Sequence, residues 1–189
     1  WKELLIVFHG HDLIKFNPPI WFLVALFNCN ILFYLVHFLR NKYLPAMFAL
    51  TLLIGCTGFY LGKAQITLPL YLDVAMTALP FYVAGFWIRR YNFFLFPHHR
   101  FDKLIPLFVL LALLVMHFTA TTLGMRTNNY SGNIFQVYIA AFAGIFMIML
   151  LCKKVERAKI ISYLGRYSII TLSIHGPILH FLEPLIARY

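Results

Sequence analysis

Two ionisable side chains stand in stretches that are otherwise apolar, Asp73 and His175, and they are where chemistry is first sought. If such a stretch crosses a bilayer, an ionisable group at its middle costs about 2.5–3.5 kcal/mol, so each needs a task or a partner. Asp73 lies several residues into the third apolar stretch. It reads either as a carboxylate handling a substrate hydroxyl or a proton, or as a hydrogen-bonded packing residue near the interface. His175 stands in Ser173-Ile174-His175-Gly176-Pro177, near the middle of the last stretch. Pro177 removes a backbone donor and crowds the preceding turn, which frees carbonyls beside the imidazole. Broken helix at membrane depth must be buried in protein or line a cavity, so His175 reads as part of a site wall. Its other reading is a neutral histidine hydrogen-bonded across helices. His180 and Glu183 follow one and two turns later, with Glu183 interfacial and solvated.

The remaining candidates carry less. His117 stands with Thr119, Thr121 and Thr122, whose hydroxyls can bond their own helix carbonyls, and reads as structural filling. His9 and His11 bracket Gly10 without a third ligand, a weak metal argument. His98 and Asp102 have the spacing of one soluble acyltransferase signature, but that motif needs a following glycine and Lys103 stands there. Cys29, Cys56 and Cys152 are scattered with no Cys-x-x-Cys pair, so they read as small packing residues rather than as a zinc site or disulfide framework. There is no Gly-x-Ser-x-Gly elbow and no glycine-rich phosphate cradle. No metal is expected.

What must position these groups is a set of membrane helices. Hydrophobic residues make up 62% of the chain and charged ones 12%. A soluble domain runs at roughly 45–50% and 25%, so this chain would leave much apolar surface in water. Six intervals of 20–26 residues without Lys or Arg separate the basic positions, each long enough to cross a hydrocarbon core. The expected fold is therefore all-α: a polytopic integral membrane helix bundle of about six spans, at about 19–39, 44–62, 68–88, 104–123, 134–151 and 167–186. Strand patterns that a β-barrel needs are missing. The length suits one compact unit, and the first residues lack the pattern of a signal peptide.

The basic residues also give an orientation. Eleven of the 16 Lys and Arg, including Arg40, Lys42, Arg89, Arg90, Arg100 and Lys103, fall after the first, third and fifth spans. That side is expected to be cytoplasmic, with both ends of the chain outside. The net charge of +10 is thus mostly topology, and no nucleic-acid partner is expected. Residues 152–166 read as an amphipathic stretch at the inner surface, and residues 124–133 as a polar outer loop.

Three stretches together resemble the acyltransferase 3 family, membrane-bound acyltransferases that O-acetylate sugars and cell-surface glycans. The first runs from Pro19 through Trp21-Phe22-Leu23 to Phe27. The second is Asp73 followed by Ala78-Leu79-Pro80-Phe81-Tyr82-Val83-Ala84-Gly85. The third is Tyr163-Leu164-Gly165-Arg166-Tyr167-Ser168, then Leu172-Ser173-Ile174-His175. Their order, spacing and sidedness agree over most of the chain.

The resemblance implies an O-acyltransferase, most simply an O-acetyltransferase. It would move an acyl group from cytoplasmic acyl-CoA to a hydroxyl of an extracytoplasmic sugar, in a bacterial plasma membrane. Trp21, Asp73 and His175 would line the channel, with His175 the catalytic candidate, and Arg89, Arg90, Arg100 and Lys103 would hold CoA phosphates. The family's main catalytic histidine and its paired arginines precede the region of this chain. The chain opens at Trp1 rather than Met, and is read as an internal fragment expected to be inactive alone. A reading from another class is a transporter or flippase with Asp73 and His175 as a proton relay; a third is a purely structural membrane subunit.

Overall fold

The computed structural model describes residues 20–41, 43–91, 105–119, 123–155, 162–168, 170, 174 and 178. Five helices are described in full: α1 (Ile20–His37), α2 (Leu44–Lys63), α3 (Leu72–Arg90), α4 (Ile105–Thr119) and α5 (Ile134–Val155). Residues 162–168, 170, 174 and 178 are helical too. Each helix lies within a few residues of a span expected from the basic punctuation. Two segments, Leu44–Lys63 and Pro69–Arg90, are long and apolar enough by themselves to cross a membrane. At 20 residues, α2 is about 30 Å long, the thickness of a hydrocarbon core. Large apolar side chains such as Phe27, Leu35, Leu53 and Leu113 stand exposed on the outside of these helices, where a soluble protein would place polar ones.

Local sequence explains where the elements begin and end. Pro45 occupies the first turn of α2, where a missing N–H costs nothing. Short 3-10 turns, Phe38–Asn41 and Pro69–Tyr71, lead into α2 and α3. Arg89 and Arg90 close α3, where cations complement the helix dipole.

The centre of the molecule is α3, packed on one side by α1 and on the other by α2, while α4 and α5 form a separate close pair. Between α1 and α3 the seam is aromatic: Phe33 meets Tyr82 at 5.2 Å and Phe86 at 5.0 Å between ring centroids. Met47, Ala75 and Leu79 are fully buried in the same cluster. The α4/α5 pair meets this unit through Phe81, which touches Tyr138 and Phe142 at 5.1 and 4.7 Å. Residues 123–130 make a small antiparallel turn, Leu123 opposite Tyr130 and Gly124 opposite Asn129, between α4 and α5.

The α2–α3 seam depends on glycine. Gly55, Gly58 and Gly62 fall on one face of α2, and a Cβ at Gly58 would stand 2.6 Å from the Thr77 backbone nitrogen. A Cβ at Gly62 would overlap Asn128. Gly58 and Gly62 form the small-x-x-x-small spacing that lets membrane helices approach closely. Gly58→Ala is therefore expected to destabilise the protein by about 1–3 kcal/mol, as overpacking does. Gly85, also in a helix, has open space around its Cβ direction, so Gly85→Ala should be neutral or raise stability by up to about 1 kcal/mol. Thermal melts of both variants in one detergent check this; equal melting points would refute the close-approach argument.

Candidate functional site

Asp73 is in the first turn of α3, not several residues into a helix as its position in the apolar stretch suggests. The preceding residues, Pro69–Tyr71, are a 3-10 turn in which Leu70 and Tyr71 both have φ of 57°. That left-handed conformation costs bulky side chains about 1–3 kcal/mol each and persists only where surroundings enforce it. Here the enforcement is visible. Asn28 on α1 donates its side-chain amide to the Leu70 carbonyl at 2.6 Å. Tyr71 is buried against Ala25 and Val74, with Trp21 and Val24 beside them. The corner turns the chain so that the Asp73 carboxylate faces inward, and Asp73 is only 4% exposed.

The carboxylate is held by amides. Asn128 Nδ2 donates to Asp73 Oδ2 at 3.1 Å, and the Leu68 backbone N–H donates to Oδ1 at 3.4 Å. Asn128 is itself wholly buried, with φ of 48°, a conformation asparagine tolerates better than most residues. Its second amide proton goes to the Gly58 carbonyl at 2.9 Å. Its Oδ1 accepts from Thr77 Oγ1 at 3.0 Å, a hydroxyl whose single proton is shared with the Asp73 carbonyl at 3.1 Å. Tyr138 on α5 then donates to the Thr77 carbonyl at 2.8 Å. One loop side chain thus ties α2 to α3, and Tyr138 extends the tie to α5.

Tyr130, two residues beyond Asn128, stacks on Phe59 at 5.5 Å and 12°. Burial pushes its phenol up to about 12, and the Asp73 carboxylate adds to the rise. On the other flank, Tyr71 contacts Trp21, with ring centroids 6.2 Å apart. The Tyr71 hydroxyl is also a hydrogen-bonding neighbour of the exposed Arg126. Trp21 is half-buried. The result is one half-buried aromatic face, Trp21, and one exposed cation, Arg126, backed by the buried Tyr71 ring and Asp73 carboxylate at one end of the bundle. Aromatic faces with directional polar groups at their edges are a chemistry suited to a polyhydroxylated ring, apolar on its faces and hydrogen-bonding at its rim.

Of the residues singled out from the sequence, Trp21 and Asp73 lie at this end and are linked through Tyr71. Arg89 and Arg90 are exposed at the other end of α3, roughly 24 Å from Asp73 at the helical rise. His175, Arg100 and Lys103 lie outside the described residues, as do His9, His11, His98, His99, Asp102, His180 and Glu183. His117 is exposed on α4. Cys29 is buried with its thiol 3.5 Å from the Ala75 carbonyl, a packing role. Asn28, Tyr71, Arg126 and Asn128 were not singled out from sequence. Asn128 belongs to the stretch read as a polar outer loop, yet it is among the most buried residues of the molecule.

Two measurements test the network. Asn128→Ala removes both donors and leaves a buried carboxylate oxygen of Asp73 without its amide partner, an expected loss of about 2 kcal/mol or more in stability. Asn128→Asp should be worse, since it sets a second carboxylate against Asp73. Wild-type melting of both would remove the network from the account. Separately, folding raises the Tyr130 phenol above its ordinary value of 10. That contribution is intact below pH 10 and is lost as pH rises through about 12. Tyr130→Phe should flatten the fall in melting temperature over that window, and an unchanged slope would assign the fall elsewhere.

A family model described as an acyltransferase domain matches residues 1–189, the whole of the chain. Searches of curated proteins and of solved structures return no match. The family agrees with the resemblance carried by the Trp21, Asp73 and Tyr163–His175 stretches. By that match over its full length, the chain belongs to the acyltransferase 3 family of membrane acyltransferases.

Proposed function

We propose that this chain is part of a membrane-bound O-acyltransferase that takes an acyl group from cytoplasmic acyl-CoA and delivers it to a sugar hydroxyl on the far side of the membrane. Acetyl-CoA is the simplest donor, and a cell-surface glycan the simplest acceptor. About six spans cross a bacterial plasma membrane, with the Asp73 end outside and the Arg89 end in the cytoplasm. The bias of Lys and Arg supports that orientation. The observation that carries the acceptor assignment is the linked set Trp21, Tyr71, Arg126 and Asp73 at one end of the bundle.

In this reading a sugar ring lies against the half-buried Trp21, with the exposed Arg126 at the polar rim that fixes which hydroxyl is presented. A histidine takes the proton of that hydroxyl as its oxygen attacks the thioester carbonyl carbon. The C–S bond breaks, and the CoA thiolate leaves with a proton returned by the imidazolium. The same histidine acting as an acyl carrier would split the transfer into two steps. The principal base in this proposal is the family's histidine in an earlier helix, with His175 as a candidate for the channel wall. Arg89, Arg90, Arg100 and Lys103 are the cations available at the cytoplasmic end for CoA phosphates. No metal takes part. Asp73, fixed by two amide donors, suits a charged group that orients neighbours better than one that relays protons.

The test is glycan acetylation by the full-length enzyme in membranes. Trp21→Ala should raise KM for the acceptor with kcat little changed, since it removes binding shared by ground and transition states. His175→Ala should lower kcat by about 100-fold or more. Full activity in a normally folded His175→Ala protein would remove His175 from the site. An unchanged KM in Trp21→Ala would move the acceptor away from this end.

A further inference from the structure

A groove of about 540 Å³ runs between the α2/α3 unit and the α4/α5 pair. Phe48, Leu52, Val83, Phe108, Phe142 and Phe146 are among its walls. The few polar atoms there are turned into the protein. Thr51 Oγ1 donates to the Met47 carbonyl at 2.8 Å, and Tyr138 Oη to the Thr77 carbonyl at 2.8 Å. Apart from the Cys56 thiol, the described residues of these walls offer no polar group to a sugar, a phosphate or the polar arm of a cofactor. An apolar space of this kind stays dry and takes hydrocarbon.

The groove has a direction. Phe48, Ala84 and Phe146 also line a second recess of about 350 Å³, bounded by Trp87, Ile88 and Tyr91. Along α5 the lining runs from Ile134 to Phe146, about 18 Å at the helical rise, which is the scale of a lipid acyl chain. Its far end carries what a headgroup needs. Arg89 and Arg90 are exposed there, and the Arg90 guanidinium lies 5.9 Å from the centre of the Trp87 ring. Trp87 also stacks on Tyr91 at 5.4 Å, an aromatic pair of the sort that marks a membrane interface. The indole N–H of Trp87 is buried without an acceptor among the described residues, so this end lacks an oxygen that a lipid could supply.

We infer that this groove holds one acyl chain of an anionic glycerophospholipid, drawn from the leaflet that Arg89 and Arg90 face, with its phosphate at those two cations. Charge complementarity selects the occupant: carbon walls for the chain and two guanidinium groups for the headgroup. The inference leaves the acyl-transfer chemistry of the proposed function as it stands but narrows its cation set. Under it, Arg89 and Arg90 serve the lipid, and the donor's phosphates fall to Arg100 and Lys103.

The experiment uses the full-length protein, delipidated in neutral detergent and titrated with dioleoyl-phosphatidylglycerol or dioleoyl-phosphatidylcholine, with bound lipid counted by native mass spectrometry. Phosphatidylglycerol should bind about tenfold or more tightly than phosphatidylcholine. Arg89→Gln with Arg90→Gln should weaken it by about 10–100-fold, and Ala84→Trp should weaken both lipids by filling the groove. A phosphatidylglycerol carrying a photoreactive diazirine in its chain should label wild-type α2 and α5 peptides that line the groove, whatever the folding of the variants. Equal binding of the two lipids that ignores the arginines would overturn the inference. So would labelling elsewhere, as when another segment of the chain fills the groove, or displacement of the lipid by acetyl-CoA.

Discussion

A single buried amide, the side chain of Asn128, joins three groups where α2, α3 and the loop after α4 meet, and one of them is a buried carboxylate. It gives one proton to the Asp73 carboxylate and one to the Gly58 carbonyl, and takes one from Thr77. A charged carboxylate out of contact with water is costly unless it is hydrogen-bonded, and in an apolar surrounding it has few alternatives. The close approach of α2 and α3 follows from the same arrangement. Gly58 and Gly62 leave room for Thr77 and Asn128, so a small-residue face and a polar plug are two halves of one fit.

That fit has consequences at the mouth of the bundle. Asp73 cannot turn inward unless the chain before it makes the left-handed corner at Leu70 and Tyr71, and the corner is held by Asn28. The corner in turn sets Tyr71 beside Trp21 and within reach of Arg126. The Trp21 and Tyr71 rings are therefore positioned by the same hydrogen bonds that stabilise the helix junction. At the opposite end of α3, Arg89 and Arg90 close the helix beside Trp87 and Tyr91, so the two ends of this helix differ in chemistry.

The helices could be read from the sequence because the bilayer imposes a strict rule: basic residues at the ends, apolar residues between them. Lys42 and Lys63 bracket α2, and Lys63 and Arg89 bracket α3, without any knowledge of packing. The junction could not be read that way. Asn128 sits between Thr127 and Asn129 in a run of polar residues, and nothing local separates a buried asparagine from a solvated one. Its burial is decided by glycines 66 and 70 positions away. The Gly58–Gly62 spacing and a residue tolerant of positive φ were the available signals, and only together do they point to a plug. Tyr71 was hidden for a related reason, since its conformation is set by Asn28 on another helix. Asp73 stands out in the sequence as a charge in an apolar stretch, and the amides around it make it the anchor of the junction.

The central claim is that Asp73 and Asn128 act as one unit. The direct measurement is a double-mutant cycle: unfolding free energies of wild type, Asp73→Ala, Asn128→Ala and the double variant in one bicelle composition. A coupling energy of about 1 kcal/mol or more is expected, with the double variant little worse than the poorer single one. Additivity within about 0.3 kcal/mol, the behaviour of independent sites, would contradict it.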